Sequence, residues 1–227
     1  MRFVGSLRVG IQELKDYYEA ILSDSEPGRL AHYPFPTFYK VGHEKYHFTY
    51  TQVLEGKCVF RARLQDGNPV VVKFARRYGV EAHQRAVALN IAPRLISSEW
   101  MYGWCMVVME DISNSHETLF NARNRITHNS IPHLQKQVKG MLGRLHRESI
   151  VHGDIRSINV MIRKPDAVSH PQEFLIVDWD WAGREDQVRY PTNLNPVVKR
   201  PASVLIDGTI TPAHDLEMAE RLGSSYD

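Results

Sequence analysis

"HGDIRSINV" occupies residues 152–160, and an apolar run ending in aspartates, "FLIVDWDWAG", occupies residues 174–183. The first puts His152, Asp154, Arg156 and Asn159 on one short loop. The second puts Asp178 and Asp180 at the end of a strand-like stretch. Taken singly, such residues are ordinary turn material, because Asp and Asn side chains bond their own backbone in turns. Taken together, they offer hard oxygen ligands and a cation, which is what a divalent metal and a phosphate require. The rest of the chain decides between the two.

Upstream, the hydrophobic period is two. "YHFTYTQVL", "CVFRARL" and "PVVVKFA" lie between residues 46 and 75, separated by the turn-like "EGK" and "QDGN". In the middle run Cys58, Phe60, Ala62 and Leu64 alternate with Val59, Arg61 and Arg63, the pattern of a half-exposed strand. "GVEAHQRAVALNIAP" (79–93) reads as a helix stopped by Pro93. "RLISSEW" and "WCMVVMED" read as two more strands. The sum is a five-stranded antiparallel sheet with one helix between its third and fourth strands.

Downstream, the period becomes helical. Ile131, Leu134, Val138, Met141, Leu142 and Leu145 share one face across 131–147, with Ser130 as N-cap and Pro132 in the first turn. "NVMI" and "FLIVDW" are short strands around "RKPDAVSHPQE", and "TPAHDLEMAERL" (211–222) is a last helix. Residues 184–210 are loop-rich and have no assigned place. Before the sheet, Ile11, Leu14, Tyr17, Tyr18, Ile21 and Leu22 form the stripe of an amphipathic helix over 10–24. "HYPFPTFYK" is an extended packing segment.

The chain has 227 residues, 43% of them hydrophobic, and a net charge of +2. That length supports one or two packed lobes. The charge gives no basis for nucleic-acid binding, and the basic runs "ARRYG" and "VKR" read as solvated charge. Two cysteines, Cys58 and Cys105, are too few for a disulfide framework or a four-cysteine zinc site, and they read as reduced thiols. There is no signal-peptide pattern and no apolar run approaching the ~18 residues of a membrane span. The expectation is a cytoplasmic protein with no membrane partner.

Across roughly residues 46–222 the order of these features resembles the protein-kinase-like superfamily. The loop reads His-Gly-Asp, as in small atypical kinases: aminoglycoside and choline kinases, RIO-like kinases and the kinase of the tRNA-threonylcarbamoylation complex. "RYG.EAH" and "DWDWAG" look most like uncharacterised fungal kinase-like proteins. The resemblance implies an α+β, bilobal protein-kinase-like fold. It has three parts: an N-terminal extension (1–45) packing on the first lobe, an N-lobe (46–112) with the sheet and one helix, and a minimal, mainly helical C-lobe (113–227).

By the resemblance, Asp154 orients the acceptor hydroxyl, and Asn159 and Asp178 bind Mg2+. Lys73 of "VVVK" holds the α- and β-phosphates of ATP and is braced by Glu81. Arg156 contacts the γ-phosphate or fixes the loop. Gly56 covers the phosphates. Val59 and Val71 roof the adenine, Met161 floors it, Met109 closes the back, and the backbones of Glu110 and Ile112 bind its edge. Asp215 supports the catalytic loop from below. His152 is structural, and His146 lies on the exposed side or end of its helix.

Phosphoryl transfer suits such a set, because it depends on positioning and charge rather than covalent chemistry. Three departures stand against it. "LEGKCVF" offers one glycine for the phosphate loop. The arginine of His-Arg-Asp, which answers to activation-loop phosphorylation, is missing. Little chain follows Asp178 in which to build peptide-binding helices. The sequence therefore favours an ATP- and Mg2+-dependent phosphotransferase, directed to Ser/Thr of a protein or to a small molecule. A pseudokinase that docks an unknown protein partner is the alternative.

Overall fold

The computed structural model describes residues 10–16, 19, 36–54, 58–165 and 173–223. The chain divides into two units, Met1–Thr37 and Phe38–Asp227. In the first, residues 10–16 are helical. Gln12 Nε2 donates to Asp16 Oδ1 at 2.8 Å, and Lys15 pairs with Glu19. Of the expected stripe, Ile11 and Leu14 are exposed, while Tyr17, Tyr18, Ile21 and Leu22 lie outside the described residues.

The second unit opens with strands β1 (Phe38–Val41), β2 (Glu44–Leu54), β3 (Val59–Leu64) and β4 (Pro69–Ala75). Helix α1 (Val80–Ala88) and strands β5 (Leu95–Met101) and β6 (Trp104–Glu110) follow. They build a sheet of six strands, not five, in the order β1-β2-β3-β4-β6-β5, with every pairing antiparallel. The additional strand comes from "FYKV", which reads as a mere extended segment because two prolines precede it. Val41 pairs with Glu44 across a two-residue turn in which Gly42 has φ 62°, a backbone that favours glycine. Tyr39 is buried and stacks on Tyr46 at 5.4 Å.

Strand alternation decides where Lys73 goes. Val70 and Val72 of β4 face one core with Phe48, Ala62, Met106 and Val108. Val71, Lys73 and Ala75 therefore face the other side, where Ala75 joins Cys105, Val107 and Met109 in the larger core. Burying each such Val, Leu or Met side chain contributes ~1.5–3 kcal/mol, so the register of β4 is strongly fixed. Helix α1 buries Ala82, His83 and Ala86. It ends at Leu89, ahead of the expected Pro93, where Asn90 takes φ 55°.

After the sheet come β7 (His116–Thr118), α2 (Leu119–Ala122), a 3-10 turn (His128–Ser130) and α3 (Ile131–His146). Helix α3 buries Leu134, Val138, Met141, Leu142 and Leu145, the stripe its spacing implies. Ser130 does not cap it; its hydroxyl donates to Thr127 O at 2.7 Å and closes the preceding turn. Strands β8 (Ile150–Val151), β9 (Val160–Arg163), β10 (Phe174–Ile176) and β11 (Gly183–Arg184) and helix α4 (Pro212–Glu220) complete the chain. They form two small sheets, β10-β9-β7 and β11-β8.

This half is thus less helical than expected, because its described residues between 147 and 211 run as short strands and packed loop. Residues 184–210 have a core of their own, built on Val151, Tyr190 and Ile210 with Trp181 against them. Among the described residues no helix is long and apolar enough to cross a membrane.

Candidate functional site

The loop after β8 is held from beneath. Asp215, buried in the first turn of α4, accepts the N–H of His152 at 2.8 Å and of Gly153 at 2.7 Å. His146 Nε2 lies 3.1 Å from the same carboxylate. His146 is thus at the end of α3, one of its two expected places, and it is turned inward rather than exposed. Gly153 takes φ 84°, and a Cβ there would sit 2.8 Å from Ile210 Cδ1. Both facts favour glycine, so an arginine at this position would strain the backbone and displace Ile210. His152 is fully buried, and burial holds its pKa below the usual histidine value. Its Nε2 donates to Val177 O at 3.2 Å, and its Nδ1 accepts the Asp154 N–H.

So fixed, the loop presents Asp154. Oδ2 accepts Arg156 Nη2 at 2.8 Å and Asn159 Nδ2 at 3.0 Å. Oδ1 accepts Arg200 Nη2 at 3.1 Å. Arg200 belongs to the segment without an expected place. It is largely buried, with its guanidinium 5.3 Å from the Trp181 ring centre. The "VKR" run is therefore not wholly solvated charge, and nothing local to it signals a partner 46 residues away. Asn159 Nδ2 also donates to Asp154 O at 2.8 Å, which leaves Asn159 Oδ1 buried with no hydrogen-bond partner among the described residues. Its backbone carbonyl accepts the Val177 N–H at 2.9 Å, so Asn159 lies beside the start of "DWD".

Asp178 has φ 73°, a left-handed backbone uncommon outside glycine and characteristic of strained functional positions. Its Oδ1 lies 2.5 Å from Lys73 Nζ, and Asp180 Oδ1 lies 2.6 Å from the same nitrogen. Burial alone would lower the Lys73 pKa; the two carboxylates outweigh it and hold it above the usual lysine value. Glu81 does not join them. It is half exposed and pairs with Arg184 at 2.7 Å. The connection from β4 is short, so the buried face of α1 carries His83 to the interior and leaves Glu81 outside.

His83 stacks on Trp179 with rings 5.7 Å apart and 6° from parallel. Its Nε2 donates to Pro93 O and its Nδ1 accepts the Tyr78 hydroxyl, both at 2.8 Å. Burial pushes its pKa down to about 4. Tyr78 also lies under Lys73, whose Nζ is 5.7 Å from the ring centre.

The motifs "RRYG" and "DWDWAG" prove to be contacts of each other. Gly79 N–H donates to Trp179 O at 2.9 Å, and a Cβ on Gly79 would sit 2.3 Å from Ala182 O. Arg77 donates to Trp181 O at 3.2 Å and Arg189 O at 2.6 Å. "ARRYG" is thus no solvated run either.

Lys73, Asn159 and Asp178 share one cleft of about 420 Å3 with Val59, Val71, Met109, Glu110, Ile112 and Met161. Arg61 and Asp111 stand at its wall, 3.4 Å apart. Glu110 N–H donates to Arg94 O, while Ile112 O accepts two N–H groups and Ile112 N–H donates to no acceptor among the described residues. Gly56 lies outside the described residues. No group of three or more His, Cys, Asp or Glu side chains gathers as a metal site among them.

Comparison with known proteins bears on the fold that carries this cleft. No family model matches the chain. Over 61 residues, 27% of its length, it is 34% identical to the EKC/KEOPS complex subunit BUD32 of Cryptococcus neoformans var. neoformans serotype D, from two strains. The chain spans only 20% of the length of these curated relatives. The solved structure of the Cydia pomonella granulovirus kinase PK-1 matches with a TM-score of 0.57 at 14% identity, over 75% of this chain and 65% of that one. These likenesses bear on the fold: the chain has the fold of the protein-kinase-like superfamily.

Proposed function

We propose that the protein is an ATP- and Mg2+-dependent phosphotransferase that moves the γ-phosphoryl group to a hydroxyl, a Ser or Thr of a protein partner, in the cytoplasm. The observation that carries this reading is the orphaned Asn159 Oδ1, buried beside Asp178 in the cleft that also holds Lys73. A buried acceptor without a donor is costly, and a cation relieves it. An amide oxygen and a carboxylate are hard ligands that suit Mg2+. Asn159 and Asp178 would hold the ion, which supplies charge neutralisation of the phosphates during transfer.

The remaining roles fall to the chain itself. Lys73 carries a fixed positive charge toward the α- and β-phosphates. The apolar walls of Val59, Val71, Met109 and Met161 accept an adenine, with the free Ile112 N–H and the Glu110 carbonyl at its edge. Asp154 has three donors on its carboxylate and room for one more hydrogen bond on Oδ1, where the acceptor hydroxyl is oriented. Arg156 fixes the loop by pinning Oδ2.

A second reading is a docking module that holds nucleotide without transferring it. The Arg200 guanidinium on Asp154, and the fact that the curated relative is a complex subunit, favour it.

Transfer of labelled γ-phosphate to a mixed protein substrate, with Asp154→Ala and Asp178→Ala as controls, separates the two. Both variants should lose transfer, and Asp178→Ala should also lose the Mg2+-dependent rise in melting temperature given by ATP. Equal transfer by wild type and Asp154→Ala would end the enzyme reading.

A further inference from the structure

We propose that Asp180, rather than any residue of α1, is the positioning residue that keeps Lys73 aimed at the phosphates while Asp178 serves a metal ion. This rests on the phosphotransferase reading above.

The geometry is asymmetric around Lys73. Its ammonium is buried among apolar strand residues, and a buried ammonium needs a carboxylate partner. Both carboxylates that reach it come from "DWD", at 2.5 and 2.6 Å. Between them Trp179 is fully buried and turned into the core against His83 and His152. The two flanking aspartates are thereby left facing the same amine.

Helix α1 offers no competitor. Its inward residue, His83, is a neutral imidazole with both ring nitrogens already bonded, and Glu81 is 53% exposed and committed to Arg184. Lys73 faces two carboxylates, of which Asp180 also feels the charge of Arg77, and a cation drawn to Asp178 would take that carboxylate from Lys73. Asp180 then remains as its partner. The role a helix carboxylate would fill is thus carried by the chain two residues beyond the metal ligand.

The test compares Asp180→Asn with Glu81→Gln in the full chain. Asp180→Asn should weaken ATP binding in Mg2+ about tenfold, the worth of one charge-assisted hydrogen bond, and leave adenosine binding unchanged. Glu81→Gln should change neither. Without nucleotide, a double-mutant cycle of Lys73→Met with Asp180→Asn should be non-additive in melting temperature by about 2–4 °C, and the cycle with Glu81→Gln additive.

The proposal is overturned if Glu81→Gln matches Asp180→Asn in ATP affinity, or if the Asp180 cycle is additive. Equal loss of ATP and adenosine binding would make Asp180 a structural residue only and overturn it as well. A wild-type chain that binds neither ligand would remove the phosphotransferase reading and this role with it. The cycles would still show which carboxylate holds Lys73.

Discussion

Replacing Asp215 with alanine should be among the most damaging single changes in the second unit. Its carboxylate accepts two backbone N–H groups, of His152 and Gly153, and sits against His146, with essentially no exposure to water. Alanine leaves both N–H groups orphaned, at about 1–3 kcal/mol each. Removing a buried carboxylate also lifts its own desolvation cost, which keeps the net loss near the middle of that range, ~3–4 kcal/mol. For a chain of this length such a loss lowers the melting temperature by roughly 6–15 °C.

Thermal unfolding followed by circular dichroism, supported by urea titration, measures it directly. His146→Ala removes only the third contact and should cost about 1 kcal/mol. Added to Asp215→Ala it should cost nothing more, because its partner is already gone. A drop below about 3 °C for Asp215→Ala, or full additivity with His146→Ala, would refute the reasoning.

Gly153→Ala should lose about 1–3 kcal/mol from its left-handed backbone and lose more through Ile210; restoring space with Ile210→Val should recover part of the melting temperature. Under the phosphotransferase reading Arg200 positions Asp154, so Arg200→Ala removes a donor that holds the carboxylate in place and should slow phosphoryl transfer about tenfold with little change in ATP affinity, read from initial rates and calorimetry. His83 gives a pH dependence. Its folded pKa, about 4, is depressed below the unfolded value of about 6.5, so it stabilises the fold above pH 6.5, and that contribution fades as pH falls toward 4. The full effect is about 3 kcal/mol, and His83→Gln should flatten the melting-temperature profile across that window without abolishing it, since His152 is depressed in the same direction.

Short-range patterns were legible in the sequence and long-range partnerships were not. Alternation located β3, and the apolar runs "PVVVKFA" and "WCMVVMED" located β4 and β6. The 3–4 spacing of Leu134 to Leu145 located α3. Strand β1 escaped because its pairing comes from a glycine turn after it, while the prolines before it dominate the local signal. Resemblance gave Lys73 a helix partner. Which carboxylate meets it depends on the length of the β4–α1 link and on the packing of Trp179, and neither is a local property. Arg200 and Arg77 look like surface charge in a string of letters because their acceptors, Asp154 and the Trp181 and Arg189 carbonyls, lie far away in sequence.

The backbone contact at Gly79 also governs how the molecule can breathe. No side chain fits between Gly79 and Ala182, and the hydrogen bond to Trp179 O ties the same point. The sheet and the "DWDWAG" strand-exit therefore share a fulcrum at that spot. Any motion that parts the two segments has to break that hydrogen bond first, so they are expected to travel together at this point.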